Sequence, residues 1–140
     1  MEVLETAIMS GLFALLGAFA GAWLSRRTEY EKWLRQERSV AFEDFLRELH
    51  ELKNDISRIL YEAGMADQEK HIAVSERFTK LDKQESIVRI YLDARSREIF
   101  SKNTKRIWSA YSPAINQSTR MNELQSATGE IQAMFEKLLH

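Results

Sequence analysis

Side chains that could support catalysis or bind a metal are few in this chain. It has three histidines, no cysteine and five glycines in 140 residues. His50 has acidic neighbours, but no residue completes a Glu-x-x-His or His-x-x-x-His pair, the spacing with which a helix binds zinc. No serine stands in a nucleophile elbow, and no glycine-rich loop is present to hold a phosphate group. The sequence therefore predicts a protein that is not an enzyme and has no metal or cofactor.

The most basic stretch of the C-terminal part lies between residues 95 and 106, where Glu98 is the only acidic residue. Arg95, Lys102 and Arg106 recur on one helical face, and Lys105 lies beside them. Such a patch could contact RNA, DNA, an RNA–protein complex or an acidic protein. It could also pair with acidic residues that precede it, and we favour this interpretation; they are Glu48, Glu51, Asp55 and Glu62.

Overall charge argues against a dedicated nucleic-acid binder, because 20 basic residues are balanced by 21 acidic ones. Trp108, which follows the basic stretch, is expected to pack in a hydrophobic core rather than to stack on a base.

Small residues recur at spacings of three and four near the N-terminus, and Gly17 and Gly21 form a GxxxG pair. A helix with a small-residue face lets another helix approach closely, which drives association within lipid. This stripe predicts a homo-oligomer; whether the oligomer encloses a pore stays open. Its members are Ala7, Gly11, Ala14, Gly17, Ala18, Gly21 and Ser25.

The stripe lies in an uncharged run of twenty residues, Thr6 to Ser25. A helix of that length covers about 30 Å, the thickness of the hydrocarbon core of a bilayer. A cleaved signal peptide is the alternative, and residues 18–20, Ala-Phe-Ala, resemble a weak cleavage site. However, a signal peptide begins with basic residues, whereas this chain begins with Glu2 and Glu5. We therefore predict one membrane-spanning helix.

Charges around the run predict its orientation. No Lys or Arg precedes it, whereas Arg26 and Arg27 follow it directly. Basic residues near a span stay on the cytoplasmic side, so the N-terminus is expected outside and residues 26–140 in the cytoplasm. Arg26 and Arg27 could also bind anionic lipid head groups, although their role in orientation is the favoured interpretation.

The rest of the chain has the pattern of an all-α protein. From Phe42 to Ala63, apolar residues repeat at alternating spacings of three and four, which is a coiled-coil-like heptad seam. This seam is in phase with the small-residue stripe. The predicted organisation is a span (1–25), a cytoplasmic extension of the same long helix (26–63), and the remaining helices of a small bundle (64–140).

Three further helices are expected after a stop at Gly64. The second begins at Asp67 as a cap and runs to about Ala94, with a bend near residues 82–85 left open. The third is capped by Ser96, and the fourth begins at Ser112-Pro113. Their predicted core positions are Val74, Phe78, Leu81, Val88, Tyr91, Leu92, Ile99, Phe100, Ile107, Trp108, Tyr111, Ile115, Met121, Leu124, Ile131, Met134, Phe135 and Leu138.

Two segments carry a resemblance to bacterial single-span membrane proteins with a cytoplasmic helical bundle. They are the run Gly21–Arg27 with the residues that follow it (Trp33, Arg38, Ala41, Phe42, Phe45, Leu46), and Val88–Ala94 before Ser96. In architecture the chain also resembles the HEPN-like membrane accessory protein of RNA-targeting CRISPR systems, whose members form oligomeric pores. The arginine–histidine pair of HEPN ribonucleases is missing here, which that resemblance would explain by loss of nuclease activity.

Two functions are compatible with these features. The first is a homo-oligomeric protein of the bacterial inner membrane that forms a pore or perturbs the membrane, with antiphage defence as the setting that the resemblance implies. The second is a membrane-tethered adaptor whose bundle recruits a cytoplasmic partner. Membrane lipids and further copies of the chain are the expected partners in the first case.

Overall fold

The computed structural model describes residues 1–112 and 115–140, and within them the chain forms helices and turns without any strand. Its four helices are α1 (Glu2–Leu60), α2 (Asp67–Ile90), α3 (Ala94–Ala110) and α4 (Gln117–Leu139). The prediction of an all-α protein with a long N-terminal helix is confirmed. By contact the chain divides into two compact units, Met1–Glu37 and Arg38–His140.

The core of the Arg38–His140 unit is built from all four helices. The α1 seam supplies five residues that are almost completely buried: Phe42, Phe45, Leu49, Leu52 and Ile56. Phe42 stacks on Phe135 of α4 with ring centroids 4.0 Å apart, and Phe45 meets the edge of Phe100 of α3 at 5.0 Å. The heptad seam therefore packs against helices of its own chain.

Eleven of the eighteen predicted core positions of the other helices are buried, four are half-buried and three are exposed. Met121 is 50% exposed and Ile99 is 37% exposed. Trp108 stacks on Phe78 at 4.1 Å and still leaves 45% of its surface exposed, so it lies at the edge of the core. Ala110 and Ala127, two small residues outside the predicted set, are also fully buried.

Three predicted helix ends need correction: the end of α1 and both ends of α2. Helix α1 ends at Leu60, so Ala63 is exposed, and Gly64 does not take the left-handed conformation of a glycine stop. Helix α2 has Ala66 at its N-cap position without a side-chain cap, and Asp67 is already its first residue. It runs without a break through residues 82–85 and ends at Ile90, four residues before the predicted end.

The caps of α3 and α4 also differ from the prediction. Asp93 caps α3 and accepts a hydrogen bond from the Ser96 backbone N–H, so Ser96 lies inside the helix. Asn116 caps α4 by accepting from the Thr119 N–H. Ser112 therefore does not begin α4, and the predicted role of Pro113 lies outside the described residues. The residue that supplies the capping oxygen to the first free N–H groups lies before the predicted cap in α3 and after it in α4.

Candidate functional site

The apolar segment of α1 is fully exposed in the unit Met1–Glu37, where every residue from Met1 to Trp33 is exposed. Phe19 keeps 78% of its surface exposed and Leu15 keeps 69%. A contiguous apolar surface of this size is unfavourable in water and marks a surface that lipid or protein covers. In the described part of the chain, α1 is the one helix that is long and apolar enough to cross a membrane.

Two different faces run along this segment. At about 100° per residue, the small-residue stripe occupies one side, and Leu12, Phe19 and Trp23 fall on the opposite side. All seven predicted stripe residues are exposed, and a methyl group added at Gly11, Gly17 or Gly21 would meet no atom within 4 Å. The stripe therefore makes no close contact with the other described residues of the chain.

The basic end of the apolar segment is ordered by local contacts. The Arg27 guanidinium lies 5.7 Å from the ring centroid of Trp23, and its Nε donates to Glu31 at 3.3 Å. Tyr30 and Trp33 pack side by side with centroids 5.8 Å apart. Arg26 is exposed. This group of aromatic and basic side chains has the composition that is typical of a membrane–water interface.

Arg106, one member of the predicted basic patch, forms hydrogen bonds and ion pairs within the bundle. Its guanidinium donates to Glu123 at 3.1 Å, to Ser126 at 3.0 Å and to Glu130 at 3.3 Å, all on α4. The hydrogen bond to Glu123 raises the pKa of Arg106 above its ordinary value. Arg106 therefore connects α3 to α4.

Pairing of the basic patch with the long helix, which we favoured, is wrong. Arg106 pairs with α4 because α3 packs directly against that helix. On α1, Asp55 instead pairs with Arg77 of α2 at 3.5 Å and with Arg58 at 3.2 Å.

Arg95, Lys102 and Lys105 remain as an exposed basic surface on α3. None of the three forms an ion pair within residues 1–112 and 115–140. At about 100° per residue, these three side chains fall within an arc of roughly 80° around the axis of α3. This surface, smaller than the predicted patch, is free to meet an acidic partner.

A buried polar cluster between α2 and α3 was not predicted. Glu85 is 7% exposed, and its Oε1 accepts from Thr104 at 3.2 Å and from Arg89 at 2.5 Å. Arg89 also donates to Ser101 at 2.8 Å. The signal in the sequence is the position of Glu85, four residues after Leu81 and three before Val88 on the apolar face.

The histidines do not come together. His50 shares a hydrogen-bond contact with Asn54 at 3.3 Å, and His71 lies near the start of α2. Among the described residues, no group of three or more His, Asp or Glu side chains is placed to hold a metal ion.

No protein-family model matches the chain, and neither the characterised proteins nor the solved structures yield a significant match. The exposed apolar segment of α1 and the surfaces of the bundle are the features that bear on function.

Proposed function

We propose that this protein is a single-span protein of the bacterial inner membrane, with its bundle in the cytoplasm. The observation that carries the proposal is the complete exposure of the apolar segment of α1. The core helix of a soluble protein would bury such a segment against its own fold. Lipid is the partner that accepts apolar side chains around the whole circumference of a helix.

The flanking charges support the orientation. Glu2 and Glu5 lie in the first turns of α1, and the first basic side chains are Arg26 and Arg27. The basic residues favour the cytoplasmic side, and Trp23, Tyr30 and Trp33 suit the interface next to them. A signal peptide is the weaker alternative because α1 continues from the apolar segment into the seam that fills the bundle core.

Self-association through the small-residue stripe is the second part of the proposal. Side chains as small as glycine and alanine allow backbones to approach closely, and the stripe has no partner in the part of the chain that the structure describes. The cytoplasmic seam does not add to this argument, since its apolar residues pack against α3 and α4. Association would bring several spans together, and a change in membrane permeability is the output that such an assembly most directly offers.

Ion or dye flux through liposomes that contain the purified full-length protein tests this function. We expect flux that falls strongly in the Gly17→Leu/Gly21→Leu variant, because two bulky side chains separate the packed helices. The Ala20→Leu variant adds the same side chain on the side of the helix away from the stripe and should retain flux. Absence of flux from the unmodified protein, with and without cytoplasmic extract, would contradict the permeability function.

The exposed basic surface supports an alternative function as a membrane-tethered adaptor. Arg95, Lys102 and Lys105 have no acidic partner in the described chain and could bind an acidic protein. In that case the protein should be a monomer in detergent and should capture one partner in a fixed ratio. The Arg95→Glu/Lys102→Glu variant should lose the partner, whereas Lys80→Glu/Lys83→Glu on α2 should keep it.

A further inference from the structure

A groove lies at the end of the bundle where α1 and α3 end and where α2 and α4 begin. Its volume is about 380 Å³, within the range of sites that bind small molecules. Leu60, Tyr61 and Val74 supply apolar surface to it. The ends of four helices thus form one cleft that brings together residues far apart in the sequence.

The charges in this groove are mainly positive. Lys70, His71 and Arg120 line it, and Asp67 is the single acidic residue among its lining side chains. With His71 neutral, the three fully charged groups still leave a net charge of +1 at this site. A ligand that carries negative charge is therefore favoured.

Two of the cations are held in place and keep unused donors. Lys70 Nζ donates to the Leu60 carbonyl at 3.3 Å, and an ammonium group has three N–H donors. Arg120 donates through Nε to the Ala110 carbonyl at 2.8 Å and through Nη2 to the Ser112 and Ile115 carbonyls. Its Nη1 makes no hydrogen bond within the described residues. Both side chains are therefore preorganised and can still bind a further acceptor.

Tyr111 adds an independent observation that points to a ligand. It lines the groove and is only 6% exposed, yet its hydroxyl has no hydrogen-bond partner in the described chain. A buried hydroxyl without a partner carries a free-energy cost, and most such groups are satisfied. Burial raises the pKa of Tyr111, so the hydroxyl keeps its proton and can donate it in a hydrogen bond.

We propose that this groove binds a small organic anion, with its apolar body against Leu60 and Val74 and its carboxylate or phosphate group accepting from Lys70, Arg120 and Tyr111. The site is independent of the proposed membrane function, because all of its residues belong to the Arg38–His140 unit. It would give the bundle a means of sensing a metabolite or signal of this chemical class.

Ligand-observed NMR and calorimetry on the full-length protein in mild detergent test the site. The probes are phenyl phosphate and benzoate, with inorganic phosphate and phenol as partial probes that lack the apolar body or the charge. We expect saturable 1:1 binding of phenyl phosphate, benzoate or both, and at least about tenfold weaker binding of each partial probe. The stronger of the two complete probes identifies the anionic group. Empty detergent micelles correct for partition.

Variants distinguish binding at a defined site from general attraction of an anion to a basic surface. Lys70→Gln should weaken binding about tenfold, whereas Lys83→Gln, an exposed lysine on the same helix, should leave it unchanged. Tyr111→Phe removes a hydroxyl that has no partner within residues 1–112 and 115–140, so it should weaken binding without lowering the melting temperature. Absence of saturable binding by both complete probes, or equal binding by all variants, would overturn the proposal.

Discussion

Single polar residues at core positions connect the helices of the bundle in a way that periodicity alone does not show. Glu85 stands on the apolar face of α2, and Asn103 and Thr104 stand between Phe100 and Ile107 on α3. Each is buried and each has a hydrogen-bond partner: Asn103 donates to the Ile99 carbonyl at 3.0 Å, and Thr104 reaches Glu85. Because an unpaired polar group in a core is costly, the contact between Thr104 and Glu85 fixes how α2 and α3 meet, whereas Asn103 is satisfied within α3.

Replacing Glu85 with alanine should lower the free energy of unfolding by about 2 kcal/mol, because Thr104 and Arg89 lose their shared acceptor. Urea unfolding of the full chain in detergent, followed by circular dichroism, measures the change. Glu85→Gln retains an acceptor oxygen for Thr104 and should lose less. Glu76→Ala, an exposed position on the same helix, is the control. An equal, small effect of all three changes would contradict a structural role for the buried carboxylate.

The cap of α3 predicts a specific dependence of stability on pH. The hydrogen bond from the Ser96 N–H lowers the pKa of Asp93 below its ordinary value. A carboxyl group with a lowered pKa in the folded state stabilises the fold above the pKa of the unfolded chain, and this stabilisation is lost as the pH falls through the folded pKa. We therefore expect the contribution of the Asp93 cap to disappear at acid pH, below about 4.

Asp93→Asn separates the cap from its titration. Asparagine caps a helix about as well as aspartate, so the variant and the unmodified protein should melt at similar temperatures at pH 7. Below about pH 4 the variant should be the more stable of the two, since its cap does not titrate. A difference in melting temperature that stays constant from pH 7 to pH 3 would contradict this account.

At the scale of the helices, apolar spacing predicts the buried face of a helix, whereas local residue preferences do not reliably predict where a helix begins or ends. The seam from Phe42 to Ile56 could be predicted because a buried helix face must repeat every three or four residues. Asp93 and Ser96 are both good N-cap residues, and local preference does not choose between them. The partner of Arg106 depends on which helix packs against α3, which only the tertiary structure determines. The groove around Tyr111 had no signal in the sequence because its residues come from the ends of four different helices.

Gly129 in the middle of α4 weakens a helix without a structural need. Its backbone does not have a positive φ, and a methyl group there would meet no atom within 4 Å. Gly129→Ala should therefore raise the free energy of unfolding by about 0.5–1 kcal/mol. Thermal unfolding of the full-length variant measures it. A loss of stability would contradict the prediction and would mean that this face of α4 needs the glycine for a close contact with another molecule.

At the scale of the whole molecule, the chain combines a bundle with its own core and an apolar helical segment with none. The bundle unit buries aromatic rings from α1, α2, α3 and α4 together, as expected for a domain that is stable in water. The segment before Arg26 buries nothing. This difference is the physical basis for the proposal that one part of the chain lies in lipid and the other in the cytoplasm.

The central claim is that residues 6–25 cross the inner membrane with the N-terminus outside, and cysteine labelling tests it most directly. The chain has no cysteine, so a single introduced thiol gives the only signal from the protein. In intact bacterial spheroplasts, a membrane-impermeant maleimide should label Glu2→Cys from outside and Lys83→Cys only after lysis. Leu16→Cys should stay unlabelled until detergent dissolves the membrane. Free labelling of Leu16→Cys in intact membranes, labelling of Lys83→Cys from outside, or recovery of a protein that lacks its first twenty residues would contradict the account.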